Sequence, residues 1–221
     1  MITVRSSYRV FLLGMFSLVA TTAVAMPAAE DVVRSTTDQT VARLREQKPD
    51  LKVHPEKIYD LIHELVIPHF DFPSMSKWVL GSNWRNATDA QRDSFIAQFR
   101  TLLVRTYAKA LLEYSDTDIR FLNSENNPNS NVVIVKTEVD QPGGGAAVPI
   151  HYRMHISDGS WKVVDVSVDG VSLVSTYRGS FASEISKGGL DNLIAKLVDR
   201  NQKIALVTPE QAKADEEHTS P

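Results

Sequence analysis

Hydrophobic positions recur along this chain with two different periods, and the switch between them divides it. Ala28 to Gln47 carries Val33, Val41 and Leu44 in a polar setting, which predicts an amphipathic helix ended by Pro49. Pro55 to Ile67 repeats the pattern with Ile58, Leu61, Ile62 and Leu65 inward, stopped by Pro68. Asp71 suits the N-cap of a short helix through Leu80, closed by Gly81. The clearest helix opens at Thr88. Thr88 and Gln91 form a T-x-x-Q capping box, and Phe95, Phe99, Leu102 or Leu103, Tyr107, Leu111 and Tyr114 follow at helical spacing. That spacing predicts about seven turns.

After Tyr114 the period falls from 3.6 to 2. Strands are predicted at Ile119–Leu122, at Val132–Val139, at Val148–Ile156 and at Ser160–Val168. In the third, Val148, Ile150, Tyr152, Met154 and Ile156 alternate with Pro149, His151, Arg153 and His155, giving one buried and one wet face. Asp158-Gly159 marks a hairpin. In the last strand, strict alternation places Val164, Val166 and Val168 on one face and Val163, Asp165 and Ser167 on the other. The chain then turns at Asp169-Gly170 into a helix over Val171–Lys187, with Val171, Val174, Tyr177, Phe181 and Ile185 on its apolar face. A further helix follows Gly188-Gly189, over Leu190–Asn201. Helices, then strands, then helices predict an α+β domain, with helices packed on a curved four-stranded antiparallel sheet. Such a sheet, closed by helices, makes a cone with an open mouth.

The amino terminus changes the picture of where the chain works. Arg5 and Arg9 precede an apolar run from Val10 to Ala20, and Ala23-Val24-Ala25 is a small-residue cleavage site. The run is short for a membrane span. The chain is therefore read as a cleaved signal peptide over 1–25, a single domain over 26–204, and a polar, acidic, disordered tail over 205–221. Removing the two arginines of the signal lowers the formal charge from −3 to −5. That balance argues against non-specific nucleic-acid binding and against tight docking on anionic lipid. The chain has no cysteine, so disulfides, zinc-thiolate sites and cysteine nucleophiles are excluded. An exported, disulfide-free domain points to the periplasm.

Two blocks of residues resemble one family. The first is Gly81-x-x-Trp84-Arg85-x-Ala87-Thr88, followed by Gln91-Arg92, Phe95, Phe99, Leu103, Tyr107 and Tyr114. The second is Gly159-x-Trp161-x-Val163-x-Asp165-Val166, then Gly170-Val171-Ser172-Leu173-Val174, Tyr177-Arg178, Phe181, Gly189 and Leu193. Together, from about Ala28 to Asn201, they resemble the periplasmic phospholipid-binding proteins of the Mla pathway, the toluene-tolerance family. The resemblance implies a nuclear transport factor-like cone extended by extra helices. It implies a monomeric carrier that holds acyl chains inside, leaves the headgroup near solvent and moves phospholipid between outer and inner membranes, maintaining outer-membrane lipid asymmetry. The partners it implies are an outer-membrane lipoprotein–porin complex and an inner-membrane ABC transporter complex with an MCE-domain ring.

Three walls are expected to line the lipid cavity. The long helix offers Phe99, Leu103, Tyr107 and Leu111. The sheet offers Val148, Ile150, Tyr152, Val164, Val166 and Val168. The closing helix offers Val171, Leu173, Val174, Tyr177 and Phe181. Each of these side chains serves a packed core equally well, because core and cavity use the same residue types. Arg178 offers a headgroup contact at the mouth, or an ion pair with Asp165. Arg85 reads as structural, in the turn before the long helix. His63, Glu64, His69 and Asp71 fall short of a metal motif, since H-E-x-x-H needs a histidine where Ile67 stands. No metal or cofactor is expected, and His151 and His155 read as solvated. The enzymatic alternative is a cone-fold isomerase using Tyr107, Tyr152 and Asp165, weakened because Asp165 alternates away from the apolar face. No G-x-S-x-G elbow or Walker phosphate loop is present. A binding or scaffold protein with a solid core is the other alternative.

Overall fold

The computed structural model describes residues 26–126 and 131–206. The expected signal peptide, and the expected tail from 207 onward, lie outside the described residues. Five helices come first: α1 (Ala29–Val53), α2 (Lys57–Leu65), α3 (Phe72–Leu80), the single turn α4 (Asn83–Asn86) and α5 (Asp89–Glu113). The strands follow as β1 (Ile119–Phe121), β2 (Glu125–Asn126), β3 (Val132–Val139), β4 (Val148–Ser157), β5 (Ser160–Val168) and β6 (Val171–Ser172). Helix α6 (Leu173–Leu206) ends the described chain and runs two residues into the stretch expected as tail.

The α+β class is as the periodicity predicts, but the sheet has six strands rather than four. Its order is β1-β3-β4-β5-β6, with β2 also on β3, and every pairing of these strands is antiparallel. The two extra strands are two residues long, too short to leave a period in the sequence. β6 arises because Asp169 and Gly170 both take positive φ (50° and 77°), making a tight hairpin that folds Val171 back onto Val168. The closing helix therefore begins at Leu173, and Val171 belongs to the sheet edge.

Proline behaves differently from expectation at two places. α1 continues through Pro49 to Val53. Leu44 and Leu51, on either side of it, are both buried against α2, and the Arg45 Nε donates to the Ser115 carbonyl at 2.7 Å. These anchors outweigh the single helical bond that proline removes. Pro68 does not simply stop α2 but sits inside a 3₁₀ turn, Ile67–His69. The caps read from sequence are in place. Thr88 Oγ1 accepts from Gln91 N at 3.2 Å and Gln91 Oε1 accepts from Thr88 N at 3.0 Å. Asp71 accepts from Ser74 N at 2.9 Å, and Gly81 closes α3 with φ +56°.

Three apolar clusters hold these elements. The first joins α3, α5 and α6, with Phe95 and Phe99 stacked at 5.6 Å and Phe181 edge-on to both. The second joins α1, α2 and α5 around Leu44, Leu61 and Val104. The third lays Ala29 and Val33 of α1 on Val133, Val135, Met154 and Val163 of the sheet. α6 bends back at Gly189 (φ 78°, ψ 175°), which returns Leu193 and Leu197 to the first cluster.

Asp71 ties the helical layer to the sheet. Its backbone N–H donates to the Val163 carbonyl at 2.9 Å, beside a parallel bridge between Phe70 and Val163. Its carboxylate also meets His155 Nε2 at 2.7 Å, so His155 is paired rather than solvated. Burial pushes this carboxyl up, but the Ser74 amide and hydroxyl and the His155 ring outweigh it and hold the group below the ordinary carboxylate range. A carboxyl held down in the folded state adds stability above its ordinary pKa of about 3.9 and gives it up as pH falls through the lower folded value. Asp71→Ala is expected to cost about 1 kcal/mol or more at pH 7 in urea unfolding. The gap to the parent should narrow below about pH 4. A gap constant down to pH 2 would contradict this role.

Candidate functional site

The register of the sheet defines one continuous apolar face. Cross-strand partners share a face, so Val135 stands with Tyr152 and Val166, Thr137 with Ile150 and Val168, and Val139 with Val148. Ile119 and Phe121 extend the face onto β1, and Val171 extends it onto β6. The opposite face carries Lys136, Glu138, His151, Arg153 and His155. The alternation of β4 is thus as expected.

In β5 strict alternation fails. The register shifts between Arg153, which faces Asp165, and Met154, which faces Val163, leaving Val164 as an extra residue. The bulge moves Val163 onto the apolar face with Val166 and Val168. Val164 leaves that face and is buried in the α3–α5–α6 cluster.

This face is closed at one end and half-open at the other. Val135 and Met154 have no accessible surface, whereas Val148, Ile150, Tyr152, Val166 and Val168 are only half-buried. Val171, at the edge, is 59 % exposed. The only polar groups among these residues are satisfied or shielded. The Thr137 hydroxyl donates to the Ile150 carbonyl at 2.9 Å. Burial pushes the Tyr152 hydroxyl up, against a hydrogen bond with Thr137. Tyr152 is half-buried and packs against the third cluster.

The helical candidates lie elsewhere. Phe99, Leu103, Val174 and Phe181 are buried in the first cluster, with Tyr107 and Tyr177 packed against them. Tyr107 is pushed up to about 12, first by burial and then by the hydrogen-bonded Tyr177 hydroxyl. Leu111, at 38 % exposed, stands at the far end of α5, and Leu173 is half-buried at the start of α6. The candidates from the three walls therefore divide into a close-packed aromatic core and a half-open sheet face. The lining residues named from sequence omit Phe121, Val133, Val135 and Val139 on or beside that face, and Met154, which the alternation of β4 already places there. The alternation of β3 already carried the signal for three of them.

The polar candidates resolve into structural roles and one relocation. Asp165 is buried on the side away from Val166 and Val168, accepting from Ser172 Oγ at 2.6 Å and Val174 N at 3.1 Å. It anchors the first turn of α6, and the expected pairing with Arg178 does not occur. The Arg178 guanidinium lies instead against Gly81, where a Cβ would stand 3.2 Å from its Nη2. The isomerase constellation is not assembled, since Tyr152 and Asp165 occupy opposite faces of the sheet. Burial, and then Lys162, hold the His69 pKa down. No group of three His, Cys, Asp or Glu within reach of a metal occurs among the described residues.

Fold and site together define a class: a helix-covered antiparallel sheet with a half-covered apolar face and, among the described residues, no acid, base or nucleophile grouped on it. The chain belongs to the MlaC family, whose profile, described as MlaC protein, matches residues 34–199. The toluene tolerance protein ttg2D of Pseudomonas putida is 29% identical over 171 residues, covering 76% of this chain and 78% of that protein. The intermembrane phospholipid transport system binding protein MlaC of Haemophilus influenzae is 24% identical over 182 residues, covering 81% of this chain and 85% of its own. A phospholipid-binding protein from Ralstonia solanacearum, solved in complex with a phospholipid, has a similar structure. Its TM-score is 0.74 at 30% identity, over 81% of this chain and 99% of the other.

The division between core and face is measurable. Phe99→Ala empties a site with no accessible surface and should cost about 3–5 kcal/mol in urea unfolding. Leu102→Ala, at another site with no accessible surface, should cost about 2–5 kcal/mol, and Ile150→Ala, an equal truncation on the half-open face, less than about 2 kcal/mol. Similar costs for Leu102→Ala and Ile150→Ala would mean that the face is as tightly packed as the core.

Proposed function

We propose that this chain is a periplasmic carrier that binds phospholipid acyl chains against the half-open sheet face and shuttles lipid between outer- and inner-membrane complexes. One observation carries the reading: a continuous apolar face left half-covered, in a chain 30% identical to a protein solved with a phospholipid. Removing apolar area from water is favourable by roughly 0.8 kcal/mol per CH₂, so an acyl chain of about fourteen methylenes left in water costs on the order of 11 kcal/mol. A carrier must therefore shelter the whole chain. It need only match a bilayer, not exceed it, for lipid to load and unload. Direction then comes from a partner, because no Walker phosphate loop is present here.

The remaining assignments follow from this reading. Residues 1–25 act as a cleaved signal peptide, residues 26–204 as a single lipid-binding domain, and the acidic end as a tail. No described helix is long and apolar enough to cross a membrane, which suits a carrier that moves through the periplasm. The chain works as a monomer without cofactor and without catalysis. Its partners are the inner-membrane MCE-domain ABC transporter complex and the outer-membrane lipoprotein–porin complex, and the exchange maintains outer-membrane lipid asymmetry.

Protein purified without detergent should yield near-stoichiometric diacyl phospholipid on extraction and mass spectrometry. Ile150→Asp and Val166→Asp should lower that yield about fivefold or more, since a carboxylate on the face must be desolvated by the chains. Their melting temperatures should fall only modestly, because both positions are half-exposed. Lipid-free parent protein with a cooperative melt would overturn the carrier and return the scaffold reading.

A further inference from the structure

A concavity lies on the helical part of the molecule, about 430 Å³ in volume and lined by residues of α3, α4, α6 and the α3–α4 turn, with none from the sheet. Three cations border it: Lys77, Arg85 and Arg178. No acidic residue lines it, and none of the three side chains has an ion pair or hydrogen bond among the described residues. This is unusual in a chain of net charge −3, where Arg34, Lys48, Lys57, Arg92, Arg120 and Lys196 each sit beside a carboxylate. Three like charges around one groove repel each other and await an anion.

The groove also has apolar walls, Trp78 and Trp84. Trp78 is 37 % exposed beside it. Trp84 is held from behind by Arg92, whose Nε and Nη2 donate to its carbonyl at 3.1 and 3.0 Å and whose guanidinium lies 5.3 Å from its ring centre. Arg92 is itself fixed by Asp89 at 3.0 Å. Gly81 takes φ +56°, ψ −122°, a conformation open to glycine, and its missing side chain leaves the space in which Arg178 lies. Trp84 is thus held in place before anything binds, while the exposed Lys77, Arg85 and Arg178 side chains become ordered on binding.

We propose that this groove docks an acidic segment of a protein partner. Carboxylates of the segment meet Lys77, Arg85 and Arg178, and an apolar side chain lies against Trp78 and Trp84. Trp and Arg dominate the energetics of protein interfaces. An anionic bilayer is the weaker fit. Basic clusters that hold to membranes run to about 4–8 cations, and a concave groove receives a protruding segment better than a plane. The proposal is independent of what the sheet face holds.

The probe is a fluorescent seven-residue peptide of alternating acidic and leucine residues, with a lysine-for-acid control, titrated with the purified chain at low and at about 150 mM salt. The acidic peptide should bind and the control should not. Arg85→Glu, Lys77→Glu and Arg178→Glu, all at exposed positions, should each weaken binding about tenfold. Lys203→Glu, an equal charge change elsewhere, should weaken it less than twofold. Bound lipid should be unchanged in all four, which separates this result from any failure of the carrier reading. Equal weakening by Lys203→Glu, or no binding of the acidic peptide, would overturn the proposal. So would Arg85-dependent binding to anionic phospholipid vesicles without peptide binding, which would assign the groove to a membrane surface.

Discussion

One constraint organises this molecule: a sheet that puts apolar side chains on the same face of β1, β3, β4, β5 and β6 must be covered, and the helices cover only part of it. α1 seals the end around Val135, Met154 and Val163. α5 spends its buried face on α3, α6 and α2 rather than on the sheet. The result is a dry end and a half-open end of one surface. Close packing elsewhere makes that distinction meaningful, because an interior at normal density leaves few gaps by accident.

Two carboxylates hold the covering layer in position. Asp71 caps α3 while its backbone joins β5, and Asp165 binds the first turn of α6 from inside the sheet. Both therefore sit where helix meets strand, and neither faces the apolar surface. These two acidic residues join helix to strand. The hairpin at Asp169-Gly170 adds to this control, since it inserts β6 before α6 can begin.

Much of this was legible in the sequence because it is local. The bounds of β3 and β5, the Thr88 capping box and the Asp71 cap depend on neighbours a few residues apart. What escaped depends on distant pairing. The bulge at Val164 leaves Val-Val-Asp-Val looking like plain alternation, and only the register with Arg153 and Met154 shows which valine leaves the face. Pro49 should end a helix, and only the burial of Leu44 and Leu51 shows why it does not. The sequence leaves Arg178 free to reach a mouth or a sheet carboxylate, and only the fold brings it against Gly81. Packed core and open face use the same valines and aromatics, so Phe99 and Ile150 could be separated only by their exposure.

The central claim is that ligand chains lie on the sheet face and not within the aromatic core. Methyl-labelled NMR of lipid-stripped protein titrated with a short-chain phospholipid addresses it directly. The account predicts shifts at Val148, Ile150, Val166 and Val168, with Leu102, Leu193 and Leu197 nearly still. Shifts concentrated in the leucines, or absent from the four sheet residues at saturation, would contradict it.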